Sequence, residues 1–340
     1  MVNGAEGSAW SSLRARGDDL EEHVAGTPAG DDPTPLTREH LFDLASVSKI
    51  VTALAALTLV DEGRISLDEP VRSRVPVGRG PHAATITLRH LLTHTSGLPD
   101  TVTDWREGVV GEALLERCLD APLTARPGAV HRYSCVGYIA LGRLIEEVAG
   151  QSLDEAVAVR VAGPAGASTL RYGPVAADSA VATEYRPAGR LVRGSVHDEL
   201  AAAVGMPVGN AGLFGTARDV FRIADVLRSG GRGPGTRVLT AETVRRAISP
   251  GVEAAGYRQG LGLRVGERSW MSSAHAVGHT GFTGTAFEVD PASDTIAVLL
   301  TNRVHPRRTS AEAITRARAR FFACDGRGDD RDGGDRRSRA

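Results

Sequence analysis

Ser46 and Lys49 are separated by two residues in the segment Ser46-Val47-Ser48-Lys49. Apolar residues recur at helical spacing over residues 44–61, so both side chains are predicted to share one face at the start of a helix. A serine becomes a nucleophile when a base takes its proton, and lysine can be that base if burial or positive potential lowers its pKa toward neutral. The N–H groups at the helix start could also hold an oxyanion. The pair predicts acyl transfer through Ser46; the alternative is a serine near an unrelated surface lysine.

Composition sets Lys49 apart. It is the only lysine in the chain, whereas 39 residues are arginines. Arginine stays protonated in proteins, but a desolvated lysine can lose its proton. Lys49 also lies among apolar residues and not on a charged face. These observations favour a chemical role for Lys49.

The segment Tyr133-Ser134-Cys135 follows the loop sequence Arg126-Pro127-Gly128. A tyrosine in such a loop can relay a proton when a cation lowers its pKa. The alternative for Tyr133 is an ordinary half-buried tyrosine. The segment therefore indicates a catalytic role for Tyr133 only in combination with other motifs.

Three glycines fall within residues 278–284, on a predicted strand. Glycine weakens a strand and commonly marks the close approach of another backbone or a ligand. A backbone N–H in this segment could face Ser46 across a cleft as a second oxyanion donor. The alternative is a bulged edge strand.

The surrounding elements follow from periodicity and turn signals. The sequence predicts a hairpin of residues 11–16 and 20–25, followed by helices and later by strands. The helices are predicted at 44–61, 88–92, 111–119, 137–149, 220–227, 241–248 and 310–322, and the strands at 257–265, 278–290 and 295–302. Strands at both ends predict an α+β fold, in which an antiparallel sheet built from N- and C-terminal strands is flanked by helices and a mainly helical subdomain is inserted.

The predicted organisation is one catalytic domain over residues 10–324. Its α/β part comprises about 10–70 and 236–324, and its helical part about 71–235. Residues 1–9 are predicted to be a flexible N-terminus. Residues 325–340 contain five aspartates and five arginines without a large apolar residue, which predicts a disordered tail.

Composition excludes several classes. The 340-residue chain has a formal net charge of −1, which disfavours a nucleic-acid binder. No run approaches the roughly 20 apolar residues that span a bilayer, and the first residues lack a secretory signal, so a cytoplasmic protein is expected. Three cysteines make neither a disulfide framework nor a paired zinc site. We therefore expect no metal, cofactor, nucleic-acid or membrane partner.

Taken together, the motifs resemble the serine β-lactamase-like superfamily, which includes penicillin-binding proteins, class C β-lactamases and family VIII-type carboxylesterases. Its Ser-x-x-Lys motif is Ser46 to Lys49, its Tyr-x-Asn element is Tyr133-Ser134-Cys135, and its Lys-Thr-Gly strand is His279-Thr280-Gly281. Residues 42–45, 91–99 and 281–285 are also similar. The resemblance covers roughly residues 10–323 and implies a β-lactamase/transpeptidase-like fold.

The resemblance also implies residue roles. Ser46 would be the acylated nucleophile, Lys49 its base and Tyr133 the group that protonates the leaving atom. The backbone N–H groups of Ser46 and Phe282 would form the oxyanion hole. The substrate side would be lined by Cys135, His279, Thr280, Gly281 and His197. For His197, which lies in a segment similar to the esterase-like branch, a hydrogen-bonded loop histidine is an equal alternative.

Three departures argue against penicillin or peptidoglycan chemistry. Cys135 replaces an asparagine whose amide would bind an acylamino group. His279 replaces a lysine, so a fixed positive charge becomes partial at pH 7. The sequence also lacks an export signal. Cys135 itself could be a second nucleophile, although a structural cysteine is the favoured interpretation.

We therefore expect an acyl-transfer enzyme that forms a Ser46 acyl-enzyme and hydrolyses a small ester or amide. The first alternative is a transacylase that passes the acyl group from an ester to an amine or alcohol in specialised metabolism. The second is a non-turnover β-lactam sensor or structural relative. In each case the partner is a small-molecule acyl donor, with water, an amine or an alcohol as acceptor.

Overall fold

The computed structural model describes residues 7–308 and 310–323. Its strands are β1 Ala9–Arg16, β2 Asp19–Gly26, β3 Phe42–Asp43, β4 Arg171–Tyr172, β5 Ala182–Arg186, β6 Arg190–Arg193, β7 Leu213–Gly215, β8 Val252–Ala254, β9 Tyr257–Gln259, β10 Arg264–Val265, β11 Val277–Thr280, β12 Ala286–Asp290 and β13 Thr295–Thr301. Its α-helices are α1 Ser48–Asp61, α2 Leu88–Leu92, α3 Gly111–Leu119, α4 Cys135–Ala149, α5 Leu153–Val157, α6 Gly163–Ala165, α7 Glu199–Val204, α8 Ala217–Arg228, α9 Ala241–Ile248 and α10 Ala311–Ala323.

Strands from both ends of the chain form the main sheet. Its order is β2-β1-β13-β12-β11-β10-β9-β8, and each neighbouring pair is antiparallel. The N-terminal hairpin joins the C-terminal strands where Trp10 pairs with Thr301 and Arg16 pairs with Thr295. This arrangement confirms the predicted α+β class with its sheet built from both termini.

The central strand β13 is buried on both faces. Ile296, Val298 and Leu300 belong to the main core, while Ala297 and Leu299 join a smaller cluster with Trp270 and Phe322. Successive side chains of a strand point to opposite faces, so these two sets lie on opposite sides of the sheet. Helix α8 packs against β1, β12 and β13, and α10 also packs against β13.

Several element boundaries differ from the prediction for local reasons. The strand predicted over 257–265 breaks because the Gly260 N–H bonds to the Leu263 carbonyl in a turn. The strand predicted over 278–290 breaks likewise, at a turn in which the Gly281 N–H bonds to the Thr285 carbonyl. Helix α4 begins two residues earlier than predicted because the Ser134 hydroxyl accepts the Gly137 N–H.

The predicted flexible N-terminus is wrong at its end. The N–H groups of Ser8 and Ala9 both donate to Oδ1 of Asn302, and Ala9 begins β1. Residues 1–6 and the predicted tail, 325–340, lie outside the described residues. Helix α8 was predicted within the helical part but packs on the sheet. Within residues 7–308 and 310–323, no helix has the length and apolar character needed to cross a membrane.

Asp219 fixes the start of α8. This buried carboxylate accepts the backbone N–H of Thr216 at 2.9 Å and that of Thr169 at 3.1 Å. We expect Asp219→Asn to lower the free energy of unfolding by about 1–3 kcal/mol. Each of the two N–H groups uses its own carboxylate oxygen, whereas the asparagine amide has only one acceptor oxygen. Denaturant unfolding measures this loss. Unchanged stability would contradict the assignment.

Candidate active site

The predicted nucleophile lies at a strained turn. Ser46 is the middle residue of a 3-10 turn, Ala45–Val47, that immediately precedes α1. Ala45 has a φ of +46°, a conformation that costs a non-glycine residue roughly 1–3 kcal/mol. Lys49 follows within the first turn of α1, and its Nζ lies 3.2 Å from Oγ of Ser46. The structure therefore brings the two together as the spacing predicted.

Lys49 is completely buried and its three donors have acceptors. Nζ donates to Oγ of Ser46, to Sγ of Cys135 at 3.5 Å and to the Asn210 carbonyl at 2.9 Å. Burial lowers the pKa of Lys49, but the contributions of Cys135, Tyr133 and Asp198 together outweigh burial, and the pKa lies above its ordinary value. This direction is opposite to the shift toward neutral that a general base needs and that the sequence predicts.

Tyr133 lies over this ammonium group, with 4.9 Å between Nζ of Lys49 and the ring centroid. The tyrosine precedes the cap of α4, and Nδ1 of His94 accepts the N–H of the capping Ser134 at 3.1 Å. The His94 ring packs 4.4 Å from the Tyr133 ring. Burial and the charge of Lys49 hold the pKa of His94 well below its usual range, so a neutral imidazole orients Tyr133.

The end of β11 packs against the segment that carries Ser46. A Cβ on Gly281 would lie 2.7 Å from the Leu44 carbonyl oxygen, so glycine is required there. The hydroxyl of Thr283 donates to the Asp43 carbonyl at 2.8 Å, and that of Thr285 donates to the Leu44 carbonyl at 3.0 Å. The glycines in this segment therefore mark the close backbone approach that the sequence predicted.

His279 is buried and uncharged. Its Nδ1 lies 2.8 Å from the Thr280 carbonyl, and burial, together with the charges of Arg264 and Lys49, holds its pKa well below the usual range. Burial and the neighbouring charges therefore oppose the partial positive charge that the sequence predicts for His279. Arg264 on β10 places a guanidinium 5.7 Å from the Tyr133 ring centroid, and it forms an ion pair with Glu267 at 2.8 Å.

The other predicted substrate residues have different surroundings. Cys135 begins α4 with its thiol beside Lys49, and Thr280 and Phe282 are partly exposed at the end of β11. His197 is 2% exposed, and its ring stacks on Phe282 with centroids 5.6 Å apart. The ring is thus packed inside the protein, and in the described residues its Nε2 has no hydrogen-bond partner.

Several site groups were missed. The Asn210 carbonyl holds Lys49 through backbone, which leaves no signal in residue type. Nothing in the local sequence distinguishes Arg264 from the other arginines. It lies beside His279 because β10 pairs with β11. His94 and Asn210 both lie in stretches that resemble the family, and this resemblance was the available signal for them. No group of three or more His, Cys, Asp or Glu side chains in the described ranges could hold a metal ion.

Sequence comparison assigns the chain to a family. Residues 13–320 match the family model described as Beta-lactamase. A protein of Escherichia coli K12 named "Putative D-alanyl-D-alanine carboxypeptidase" is 29% identical, over 82% of this chain and 73% of its own length. A protein of Escherichia coli O157:H7 with the same name is 30% identical, over 80% and 71%.

Solved structures share the fold. EstCE1, described as a hydrolase with promiscuous acyltransferase activity, is 24% identical with a TM-score of 0.76, covering 93% of this chain and 94% of its own. A class C β-lactamase of Rhodobacter sphaeroides is 22% identical with a TM-score of 0.75, covering 94% of each chain. The match over most of the chain, joined to the Ser46 and Lys49 geometry, shows that the protein belongs to the beta-lactamase family of serine hydrolases.

Proposed function

We propose that the protein is a serine acyl-transfer enzyme that hydrolyses a small ester or amide through an acyl-enzyme on Ser46. The observation that carries this proposal is the hydrogen bond between Nζ of Lys49, the only lysine, and Oγ of Ser46. A buried ammonium that contacts a partly exposed serine hydroxyl is arranged to control the proton of that hydroxyl.

Lys49 and Tyr133 act as one proton-transfer pair. When the pair has lost one proton, it exists either as ammonium beside phenolate or as amine beside phenol. The loss of that proton is therefore a property of the pair and not of either group alone. The close approach of the two groups, with 4.9 Å between Nζ of Lys49 and the Tyr133 ring centroid, supports this coupling. In the amine form Lys49 takes the Ser46 proton as Oγ attacks the carbonyl carbon, and Tyr133 gives a proton to the leaving atom.

The tetrahedral oxyanion would accept hydrogen bonds from the backbone N–H groups of Ser46 and Phe282. The packing of Gly281 against Leu44 and the two threonine bonds to the Ser46 segment support this assignment. Loss of a single such donor lowers kcat by about 10²–10³-fold in serine hydrolases. Backbone N–H groups bind the oxyanion of any acyl group in the same way. Selectivity between substrates therefore depends on the surrounding side chains.

Those side chains favour substrates without a free carboxylate. His279 is neutral, and the guanidinium of Arg264 is paired with Glu267, so neither presents an unpaired cation. Cys135 donates and accepts hydrogen bonds only weakly, which disfavours recognition of an acylamino group. The acyl-enzyme could equally pass its acyl group to an amine or alcohol, and EstCE1, which shares the fold, is described as having promiscuous acyltransferase activity.

We expect an activated ester such as p-nitrophenyl acetate to add one acyl group to Ser46, detected as an intact-mass increase, and to be turned over. Ser46→Ala should give no adduct and at least about 10³-fold slower turnover. Ser48→Ala is the matched control, because the Ser48 hydroxyl accepts the Leu213 N–H and supports only the fold. Equal turnover by Ser46→Ala and wild type would refute the proposal.

The products of that assay separate the candidate functions. Free acid alone, with or without an amine panel, supports the esterase, and amide formation supports the transacylase. A permanent adduct supports the sensor. A D-alanyl-D-alanine peptide and a penicillin belong in the panel because of the names that the sequence relatives carry. Faster turnover of either than of simple esters would contradict the proposed preference.

Lys49→Arg should lower kcat/KM by at least about 10²-fold, because arginine keeps the positive charge but does not give up its proton. Steady-state ester hydrolysis measures the loss, and thermal unfolding checks that the variant is folded. Near-normal activity would remove Lys49 from the proton-transfer pair.

Tyr133→Phe should lower kcat by about 10²–10⁴-fold, since the ring stays in place while the proton donor is removed. Tyr257→Phe is the matched control. The Tyr257 ring also lies beside Arg264, but its ring contacts in the described residues are with Arg264 and His131 and not with Ser46 or Lys49. Its rate should stay within about twofold of wild type. Equal rates for the two variants would contradict the role of Tyr133.

A further inference from the structure

A buried carboxylate stands three residues before Ser46. Asp43 is 2% exposed, and its two oxygens accept backbone N–H groups from two parts of the chain. Oδ1 accepts the N–H of Ala45 and Oδ2 accepts the N–H of His197, each at 2.8 Å. Burial raises the pKa of this carboxyl, with the charge of His197 and the two N–H bonds acting against it. A group that is costly to bury needs a role that offsets the cost.

The first bond acts on the backbone of the nucleophile. Ala45 has a positive φ that a non-glycine residue holds only when its surroundings fix it. The bond from the Ala45 N–H to Asp43 is such a restraint. The peptide that follows Ala45 carries the N–H of Ser46, so the orientation of that N–H depends on Ala45.

The second bond leads to the other oxyanion donor. The His197 ring stacks on the ring of Phe282 at an interplanar angle of 26°. The guanidiniums of Arg303 and Arg308 lie 4.7 and 5.2 Å from the centroid of the same ring. Although Phe282 is 47% exposed, its side chain is therefore held by three neighbours.

Glu184 completes this support. It binds Arg308 through two bonds of 2.7 and 2.8 Å, and it lies 3.3 Å from Nε2 of His197. The His197 contact is close but not aligned as a hydrogen bond. The carboxylate thus binds Arg308 and lies close to His197, and both of these residues pack on Phe282, whose N–H is the second proposed donor.

We propose that Asp43 is a positioning residue that sets both donors of the oxyanion hole, Ser46 through Ala45 and Phe282 through His197. This inference rests on the proposed acyl transfer at Ser46. One side chain thereby fixes the separation of two N–H groups that belong to segments far apart in sequence. Their distance matters more in the transition state, where the oxyanion is formed, than in the bound substrate.

Asp43→Asn tests this role with little change of shape. Its amide has one acceptor oxygen, and its NH₂ would face an N–H donor. We expect kcat to fall by about 10–100-fold with KM within about threefold of wild type. The affinity for a boronic acid that mimics the tetrahedral intermediate should weaken by a similar factor. Rates are expressed per active site, counted by titration with an activated phosphonate ester that phosphonylates Ser46 and releases its leaving group.

Asp219→Asn is the matched control, because Asp219 is also buried and also accepts two backbone N–H groups from separate segments. This variant should lose stability and keep the wild-type rate per titrated site. The proposal is overturned if Asp43→Asn behaves in the same way, that is, if it has fewer titratable active sites or a lower stability but a normal rate per titrated site. Ser46→Ala with normal turnover would instead refute the acyl-transfer proposal itself.

A second pair of variants tests the route to Phe282 if Asp43→Asn does not fold. His197→Ala removes the ring that stacks on Phe282, whereas His197→Phe keeps an aromatic ring there. We expect the alanine variant to lose kcat at nearly constant KM, and the phenylalanine variant to recover most of that loss. Equal rates in both variants would overturn the role of this stacking.

Discussion

The ammonium group of Lys49 is a charge placed where water does not reach it, and its three hydrogen bonds determine which parts of the chain must meet. One acceptor comes from the turn before α1, one from the first residue of α4 and one from the backbone at Asn210. An unpaired buried charge costs several kcal/mol. The folded state is therefore tied to the assembly of these segments, and the site forms together with the core around α1 and α4.

The sheet supplies the opposite wall through backbone contacts. Gly281 lets β11 approach the Leu44 carbonyl, and Arg318 of α10 holds the turn from behind by donating to the carbonyls of Gly281 and Thr285. The pairing of β11 with β12 and the buried guanidinium of Arg318 hold the backbone of this turn beside the Ser46 segment. Donors that are already oriented need no reorganisation during the reaction, which is the main source of electrostatic catalysis.

Much of this arrangement could be predicted from local patterns. The Ser46 and Lys49 spacing, the glycines near His279 and the alternating strands each report a constraint that acts within a few residues. Arg264, the Asn210 carbonyl and Asp43 could not be found in this way because their roles arise from segments distant in sequence. The surroundings that shift the pKa values of Lys49 and His279 could not be predicted for the same reason. Each depends on neighbours that only the folded chain brings together.

The pairing of β1 with β13 has a consequence for synthesis on the ribosome. The strand Ala9–Arg16 is synthesised well before its partner Thr295–Thr301, because almost 280 residues separate the two in sequence. An isolated hairpin is at best marginally stable in water, and closing so long a loop carries an entropic cost. The turn beside Ser46 also waits for Arg318 from α10. The wall of the site that faces Ser46 would thus stay incomplete in a growing chain until α10 has emerged.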